Sequence, residues 1–398
     1  MGKEKKKERY SRINQLAALR GTSAKAFQEK PMAVIGVGNL GGQVAYHLAL
    51  MGFPIIVVDS GRVEEANLGT QGFSRKHLGR AKTEARAEIL HECNPDCNIK
   101  ALNEDISILG PGHFLGVQAL FSCLDSWLAR SVVHEIAWAL GIPLVDGGLD
   151  GSGERFYGRV AVYDPRQKES PCMFCSWDQE SLRAVRRRDR GSRTACPEFR
   201  LGSGAPDANP TLMPSSMGAV IAGMQVIQAL KLLFDEKETQ VCGQEILMDL
   251  SSNRFSSVQL KQNPNCIFPH ERWPLKALDK NTAQLSVWDL FYLATEHLGS
   301  KVELSLHRKH LATQLKCENG HVCDEIFKIA ETFPEENTRC NVSKCTKRLA
   351  PVKQGLMSRF DLEKALSFSD RTWKSLGLPD KDLVTARNGE RGVRFVFS

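Results

Sequence analysis

The sequence predicts an α/β protein with a mainly parallel sheet. Short β-rich runs alternate with helical patterns, a glycine-rich turn follows the first run, and an acidic residue ends the second. The β-rich runs are at 32–36, 55–59, 120–123 and 143–146, and the helical patterns are at 39–51, 77–93 and 126–140. Such alternation is typical of parallel strands whose connecting helices cover both faces of the sheet. These observations indicate a doubly wound, Rossmann-like fold.

The pattern changes after about residue 150. The runs 158–164, 245–250 and 255–260 have the composition of strands but are not joined by helices of the βαβ kind. We therefore expect an antiparallel extension of the sheet. A long helix is predicted at 214–234, with proline in its first turn and many small residues that favour close packing against the sheet.

The length of 398 residues exceeds one ordinary domain. We predict an N-terminal arm at 1–30, a main domain at 31–275 that includes a crossing loop at 176–213, and a small α+β module at 285–398. Ser286 begins that module as a helix cap, with Asp289 three residues later. The hydrophobic share of 42% and charged share of 25% are ordinary for a folded protein.

The formal net charge of +7 is concentrated in the KEKKKER tail and in an arginine-rich stretch from Arg183 to Arg200. These segments are either solvated or a docking surface for an acidic protein or for phosphates, and no motif indicates nucleic acid. No run of about 18 apolar residues and no signal peptide is evident, so we expect a cytoplasmic protein without a membrane role. In that compartment the 12 cysteines predict metal ligands, a catalytic thiol or core packing rather than disulfides.

The glycine-rich turn comprises Gly36, Gly38, Gly41 and Gly42, and Asp59 ends the next predicted strand. Glycines let the backbone approach phosphates, the helix N-terminus offers free N–H groups, and the acid can accept hydrogen bonds from a ribose. In this strand–turn–helix–strand–acid context, the pattern predicts nucleotide binding. A purely structural tight turn is the alternative.

Three further segments follow in order: an Asn-Leu-x-x-Gln segment with Asn67 and Gln71, a Gly-x-x-Lys segment ending at Lys82, and a strand-ending Asp125. With the glycine turn and the acid, they resemble the family of ThiF, MoeB and the ubiquitin-activating enzymes. The resemblance covers about residues 9–270, most of the chain. It favours ATP over NAD as the nucleotide.

The resemblance implies a role for each matching residue. Asp59 would hold the ribose, Lys82 the phosphates and Asp125 a Mg²⁺ ion, while Asn67 and Gln71 would line the site. Adenylation develops negative charge on the α-phosphate and the leaving pyrophosphate, which a lysine, an arginine and Mg²⁺ can stabilise. An exposed helix lysine and a capping acid are the structural alternatives for Lys82 and Asp125.

One position departs from the family pattern. Relatives have an arginine immediately before the glutamine, where this chain has Thr70. An arginine for the phosphates must then come from elsewhere, and Arg75 and Arg12 are candidates. Arg12 resembles the arginine that family members insert into the partner protomer's site, which would make the enzyme a homodimer; a solvated charge in a basic tail is the alternative.

Cys172 and Cys175 form a Cys-x-x-Cys pair, and the family's second pair corresponds here to Cys266 and His270. Three thiolates and one imidazole would close a tetrahedral Zn²⁺ site with a structural role. A redox pair or packing cysteines are the alternatives.

Cys196 lies in the crossing loop between the first cysteine pair and the long helix. In ubiquitin-activating relatives this segment carries the thioester-forming cysteine, and nearby arginines would favour the nucleophilic thiolate. A buried or incidental thiol is the alternative.

The last module contains two cysteine-bearing turns about twenty residues apart, which resemble a loosened zinc ribbon. Its five candidate ligands are Cys317, His321, Cys323, Cys340 and Cys345. Among them we prefer Cys323 to His321, because Zn²⁺ favours soft thiolates. The other four cysteines are predicted to pack in the core: Cys93, Cys97, Cys123 and Cys242.

The predicted function is ATP-dependent adenylation of the C-terminal carboxylate of a ubiquitin-like protein, followed by thioester formation on Cys196 and transfer to a conjugating partner. By analogy, the extra module suggests that the protein is an activating enzyme from a bacterial ubiquitin-like conjugation operon. The main alternative is activation of a sulfur-carrier protein. An NAD-dependent oxidoreductase and a nucleotide-binding scaffold are weaker alternatives.

Overall fold

The computed structural model describes most of the chain. The described residues are 9–23, 25, 28–150, 153–177, 212–234, 241–317, 319–330, 340, 342, 345, 347, 349–351 and 356–398, without the side chains of 323–326 and 349–351. Two compact units are present, one formed by Met1–Ile106 with Gly116–Glu271 and the other by Ser107–Leu115 with Arg272–Ser398. The segment 107–115, placed by sequence within the main domain, therefore belongs to the second unit.

The first unit contains an eight-stranded sheet in the order β3-β2-β1-β4-β5-β6-β7-β8. Its strands are β1 Met32–Ile35, β2 Ile55–Val58, β3 Ile99–Leu102, β4 Leu120–Ser122, β5 Leu144–Leu149, β6 Tyr157–Tyr163, β7 Gln244–Asp249 and β8 Arg254–Gln259. Strands β1 to β5 pair in parallel. Strands β6 to β8 continue the sheet antiparallel, as the sequence predicts.

Helices connect the parallel strands. The helices of the first unit are α1 Ser11–Leu19, α2 Asn39–Leu50, α3 Glu65–Leu68, α4 Lys82–Cys93, α5 Trp127–Leu140 and α6 Ser215–Leu233. Short 3₁₀ turns lie at Arg75–His77 and Met173–Ser176. Strands β1 and β2 are buried at every position, which is expected for parallel strands covered on both faces.

The strand order creates a topological switch point. From β1 the chain turns to β2 on one side of the sheet and later to β4 on the other. In open α/β sheets, ligands bind outside the carboxyl ends of the strands at this point. The glycine turn after β1, Asp59 after β2 and Asp125 after β4 all lie at this edge.

Three expectations for the first unit change with the structure. Helix α4 begins at Lys82 rather than at 77, because Gly79 adopts a φ of +77° that interrupts the helix. The edge strand Ile99–Leu102 was not predicted, since it is only partly buried and has no apolar run. Cys93 is exposed, so its predicted packing role is wrong; Cys97 and Cys242 are buried as expected.

Helix α6 is long and apolar enough to cross a membrane by length and composition alone, with 44% of its apolar window buried inside the structure. Its residues Ile221 and Ala222 are fully buried in the main core with Val34 and Val145. Helices buried in a protein core can have the same length and apolar composition as membrane-spanning helices. The small residues of α6 predict its packing against the strands.

The second unit has its own core, which includes Trp373 and Phe395. Its strands are β9 Leu275–Ala277, β10 Glu303–Leu306, β11 Leu311–Cys317, β12 Val322–Ile329, β13 Leu349–Pro351, β14 Leu356–Met357, β15 Arg359–Phe360, β16 Leu383–Asn388 and β17 Arg391–Val396. Its helices are α7 Val287–Leu298 and α8 Leu362–Ser367, with a 3₁₀ turn at Pro111–Phe114. Ser286 and Asp289 form the predicted capping box of α7.

Candidate active site and metal centres

The carboxylate of Asp59 is fixed against the glycine turn. Its Oδ2 accepts a 2.9 Å hydrogen bond from the backbone N–H of Val37, and its Oδ1 accepts a 2.8 Å bond from that of Gly61. Each oxygen has two lone pairs, so both keep acceptor capacity for a further donor such as a ribose hydroxyl. The position and chemistry of Asp59 therefore fit the role that the sequence predicts.

At two positions of the turn, neighbouring backbone atoms lie so close that only glycine fits. Gly36 has a φ of +83°, and a Cβ there would lie 2.7 Å from the carbonyl oxygen of Cys123. A Cβ on Gly41 would lie 1.8 Å from the carbonyl oxygen of Gly36. The first turn of α2 consequently sits directly on the end of β1, which is the geometry of a phosphate-binding turn.

Helix α2 begins after Gly38 without a side-chain cap, so its first N–H groups are available to a phosphate. Beside it, the carboxamide of Gln71 lies 3.5 Å from the place of a Cβ on Gly38. Gln71 Oε1 and Asn39 Oδ1 are buried without a hydrogen-bond partner among the described residues. Buried polar atoms of this kind are rare in a finished core, and Gln71 Oε1, beside Gly38, keeps its acceptor capacity for a polar ligand.

Lys82 is the first residue of α4 and is half-buried. Its backbone N–H donates to the Gly61 carbonyl at 2.9 Å, and its side-chain stem passes 3.4 Å from the place of a Cβ on Gly61. This contact holds Lys82 beside Asp59 at the switch point. Asn67 has a local role as well, because its Oδ1 accepts from the backbone N–H of Glu64 at the start of α3.

Asp125 follows β4 and is exposed, and the next residue, Ser126, caps helix α5 through its Oγ. Mg²⁺ is usually held by one or two carboxylates together with substrate phosphates and water. A single exposed carboxylate at the switch point meets that requirement.

Neither of the two arginines suggested to replace the family arginine at Thr70 lies on the segment that carries Asn67 and Gln71. Arg75 is exposed in a 3₁₀ turn. Arg12 is exposed on α1, whose start is anchored because Asn94 donates to the Tyr10 hydroxyl at 2.8 Å and accepts from Arg9 at 2.6 Å. Asn94 ends α4, about 18 Å along the helix from Lys82. It therefore lies near the amino ends of the parallel strands, whereas Lys82 lies near their carboxyl ends.

Arg86, which lies one helical turn after Lys82, was not predicted as a site residue. Its side chain is buried, and its Nη2 donates to the carbonyl oxygens of Val37 at 3.2 Å and Gln71 at 2.6 Å. The i, i+4 spacing from Lys82 is the sequence signal that places both cations on one helix face.

A buried ion network on β5 and β6 was not predicted either. Arg130 bonds both oxygens of Asp146 at 3.0 Å, and Arg159 bonds Asp146 and Glu245. Burial raises the pKa of Asp146, but the two guanidinium groups outweigh it and hold that pKa below its usual range. Both arginines also lie over the Trp127 ring, so the network supports the start of α5 beside Asp125.

The four predicted ligands of the first metal site come together. Cys172 Sγ lies 3.5 Å from Cys266 Sγ and 3.7 Å from Cys175 Sγ, which is 3.3 Å from His270 Nε2. A tetrahedral Zn²⁺ site with bonds of about 2.0–2.3 Å has ligand–ligand edges of roughly 3.3–3.8 Å. The donor set therefore fits zinc, and no open ligand position remains.

The local backbone supports this site. The side-chain hydrogen bond with Cys172, together with the backbone N–H groups of Asn263 and Cys172 that donate to Cys175 Sγ, lowers the pKa of Cys175 to about 5. His270 has a φ of +50°, an uncommon conformation for a residue other than glycine, and its ring lies 5.2 Å from the Trp138 ring. Such strain is typical of positions held for a ligand.

A second cluster lies in the second unit. His321 Nδ1 is 3.5 Å from Cys317 Sγ and 3.4 Å from Cys340 Sγ, and Cys317 Sγ is 3.9 Å from Cys345 Sγ. These four ligand atoms lie within 4.8 Å of one another, as in the first cluster. The donor set again fits Zn²⁺.

Two predicted site residues have no described side chain. Cys196 lies outside the described residues. Cys323 is placed in β12 opposite Leu315, but its side chain is outside the described part. His321, ranked below Cys323 on sequence, supplies the fourth ligand atom of the described cluster.

Relatives of known name match about 60% of this chain. "Ubiquitin-like modifier-activating enzyme 5" of Oryza sativa subsp. japonica is 25% identical over an alignment of 254 residues that covers 60% of this chain and 55% of that protein. The Bombyx mori protein of the same name is 27% identical over 253 residues and covered over 59% of its length. The chain thus spans little more than half of these relatives. The "SAMP-activating enzyme E1" of Haloferax volcanii is 24% identical, with 59% of this chain and 78% of that protein covered.

Among solved structures, E. coli MccB with ATP superposes with a TM-score of 0.50 at 17% identity, covering 65% of this chain and 72% of that chain. At that identity the likeness concerns the fold. The sequence profile of the ThiF family matches residues 10–268, well over half of the chain. On this match, and with the glycine turn, Asp59 and Lys82 gathered at the switch point, the chain belongs to the ThiF family.

Proposed function

We propose that this protein is an ATP-dependent adenylyltransferase that activates the C-terminal carboxylate of a ubiquitin-like protein. The observation that carries the proposal is the juxtaposition of Asp59 and Lys82 beside an uncapped helix N-terminus, with the Gln71 carboxamide, whose Oε1 is unpartnered among the described residues, next to Gly38. The names of the related proteins support the same activity.

Each group contributes one physical effect. The Asp59 carboxylate accepts hydrogen bonds from the ribose, and the amides at the start of α2 bind phosphate oxygens. Lys82 balances charge that develops on the phosphates. Asp125 would hold Mg²⁺ together with phosphate oxygens, and the ion supplies further stabilisation of the leaving pyrophosphate.

In the first step a carboxylate oxygen of the carrier attacks the α-phosphorus of ATP, and the bond to pyrophosphate breaks. The product is an acyl-adenylate. In the second step the Cys196 thiolate attacks the acyl carbon, a thioester forms, and AMP leaves with the bonding electron pair. Transfer to a conjugating partner follows.

We further propose that both cysteine–histidine clusters bind Zn²⁺ with a structural role. Each has four ligands and therefore no open position for chemistry. The first cluster lies where residues 172–177 lead into the crossing segment, so it would fix one end of the segment that carries Cys196. The second would stabilise the hairpin of β11 and β12, because Cys317 and His321 lie at its turn.

A homodimer belongs to the proposal. The anchoring of α1 at the far edge of the sheet separates Arg12 from the nucleotide site of its own chain, so a role for Arg12 at phosphates requires a second chain. We assign recruitment of the carrier or of a conjugating enzyme to the second unit, and a cytoplasmic location to the protein.

The experiment uses purified protein, Mg-ATP and a candidate ubiquitin-like protein encoded by a neighbouring gene. The reaction is run on a non-reducing gel beside a thiol-treated lane. We expect a thiol-sensitive adduct that disappears in Cys196→Ala and persists in Cys93→Ala. Cys93 is a matched control because its thiol is exposed outside both clusters.

Other results would assign another function. Pyrophosphate exchange without an adduct would favour activation of a sulfur-carrier protein, since adenylation is common to both. Nicotinamide fluorescence on binding NADH would favour an oxidoreductase. Absence of pyrophosphate exchange with every carrier tested would favour a nucleotide-binding scaffold.

A further inference from the structure

Arg86 is a buried cation at the glycine turn that the roles above do not use. Its side chain is only 5% exposed, although a guanidinium is costly to remove from water. Burial lowers the pKa of Arg86 to about 10, and the nearby Asp59 acts in the opposite direction. The group therefore keeps its positive charge at neutral pH.

The contacts of Arg86 leave this charge incompletely matched. Its Nη2 donates to two neutral carbonyl oxygens, those of Val37 and Gln71, and its guanidinium lies 4.3 Å from the centre of the Phe73 ring. Among the described residues it forms no ion pair with a carboxylate, and its buried Nε has no hydrogen-bond partner. With Asp59 as the nearby anion but no direct ion pair, the guanidinium can still stabilise a negatively charged group at the turn.

The chain makes room for the guanidinium at the start of α2. A Cβ on Gly42 would lie 2.5 Å from Arg86 Nη2 and 2.6 Å from its Cζ. Glycine at this position lets Arg86 lie against the first turn of the helix, behind the N–H groups that face the site. The positive electrostatic potentials of the helix N-terminus and of the guanidinium then add at the first turn of α2.

Arg86 also fixes the two segments that surround the phosphate position. Through Val37 it contacts the peptide whose N–H binds Asp59, and through Gln71 it contacts the residue that lies beside Gly38. These bonds order the glycine turn and the segment that carries Thr70, where the sequence lacks an arginine. One side chain thus combines positioning with positive charge.

We propose that Arg86 is a positioning residue for the triphosphate of the nucleotide, acting through the Val37 and Gln71 carbonyls and through its charge behind the glycine turn. This inference rests on the proposed nucleotide-binding function. It assigns to Arg86 the selectivity for a polyphosphate over an uncharged nucleoside.

The test compares binding of ATP and of adenosine to the full-length protein by calorimetry. In Arg86→Met, which keeps an unbranched stem and removes the charged guanidinium, we expect the preference for ATP over adenosine to fall about 10- to 100-fold. Adenosine binding should stay within about twofold, which also shows that the variant is folded. Arg254→Met, at an exposed position of β8, is the control and should keep the wild-type preference.

Arg86→Lys separates charge from shape. It keeps a positive charge, so its preference for ATP should lie between those of the wild type and Arg86→Met. Equal losses of ATP and adenosine binding in both variants would overturn the inference and make Arg86 purely structural, as would an unchanged preference in Arg86→Met. If the wild type shows no preference for ATP, the proposed function itself fails, which is a distinguishable result.

Discussion

The Asp59 carboxylate accepts a 2.9 Å hydrogen bond from the backbone N–H of Val37, so the end of the second strand is tied to the turn that follows the first. The same carboxylate accepts from Gly61, next to the stem of Lys82. The Asp59 side chain therefore orders the glycine turn and is also the proposed ribose ligand.

This relationship predicts two effects for Asp59→Asn. The amide has a single acceptor oxygen, so one of the two backbone N–H groups loses its partner, at a cost of about 1 kcal/mol in the free energy of unfolding. The wild type should bind ATP more tightly than 2′-deoxy-ATP or 3′-deoxy-ATP, and the variant should show less discrimination. Calorimetric titration and thermal unfolding measure both effects. Equal discrimination in the two proteins would remove the ribose role.

A second prediction concerns the close approach at Gly41. In Gly41→Ala the new Cβ would lie 1.8 Å from the Gly36 carbonyl oxygen, so the turn must shift. We expect a loss of at least about 3 kcal/mol in the free energy of unfolding and loss of ATP binding. Gly223→Ala is the control, because no atom of another described segment lies within 4 Å of its Cβ position in helix α6. That variant should be neutral or more stable by up to about 1 kcal/mol.

The third prediction tests whether Arg12 acts in the partner's site. Arg12→Ala and Lys82→Met should each abolish pyrophosphate exchange. Mixing them under subunit exchange should restore roughly a quarter of wild-type activity, since half of the dimers are mixed and each has one intact site. Without restoration in a mixture shown to contain mixed dimers, Arg12 does not act in trans.

The fourth prediction concerns metal content. We expect two equivalents of Zn²⁺ per chain, one for each cluster, measured by elemental analysis after dialysis against a weak chelator. Cys175→Ser and His321→Ala should each lose about one equivalent, because three remaining ligands bind zinc more weakly. Cys242→Ser, a buried thiol outside both clusters, should retain both.

Cys323→Ser decides the ligand choice in the second unit. Full zinc content in Cys323→Ser together with loss in His321→Ala would assign the fourth ligand to His321. The opposite result would favour Cys323, the preference drawn from ligand softness.

The fifth prediction is a pH dependence of stability from His307. Burial, followed by the charges of Arg308, Lys309 and Arg394, holds the pKa of His307 well below its ordinary value of 6.5. Below about pH 6.5 the unfolded chain therefore takes up a proton that the folded chain does not, and stability falls by up to about 1.4 kcal/mol per pH unit. Above that pH the contribution is constant.

Thermal unfolding of wild type and His307→Leu from pH 8 to 5 measures this effect. The variant should lose less stability on acidification than the wild type does. His91→Asn, at an exposed histidine of α4, should follow the wild type. Parallel curves of stability against pH for His307→Leu and wild type would show that the pKa of His307 is the same in the folded and unfolded states.

The sequence also determined much of the fold. Alternating apolar runs and helical patterns predict β1, β2, α2 and α5 to within a residue or two, since buried parallel strands and amphipathic helices have distinct periods. The edge strand Ile99–Leu102 and the start of α4 could not be predicted in this way. That edge strand has no apolar run, and Gly79 adopts a left-handed conformation that its residue type permits but does not require.

The site divides in the same way. By itself the sequence determined the residue types of the glycine turn, Asp59, Lys82 and the Cys-x-x-Cys pair, because their chemistry depends on short spacing along the chain. Only the tertiary structure decided that Arg86 lies under the turn and that His321 Nδ1 lies close to the thiols of Cys317 and Cys340. Both depend on contacts between segments far apart in sequence, which chain folding creates and local spacing does not encode.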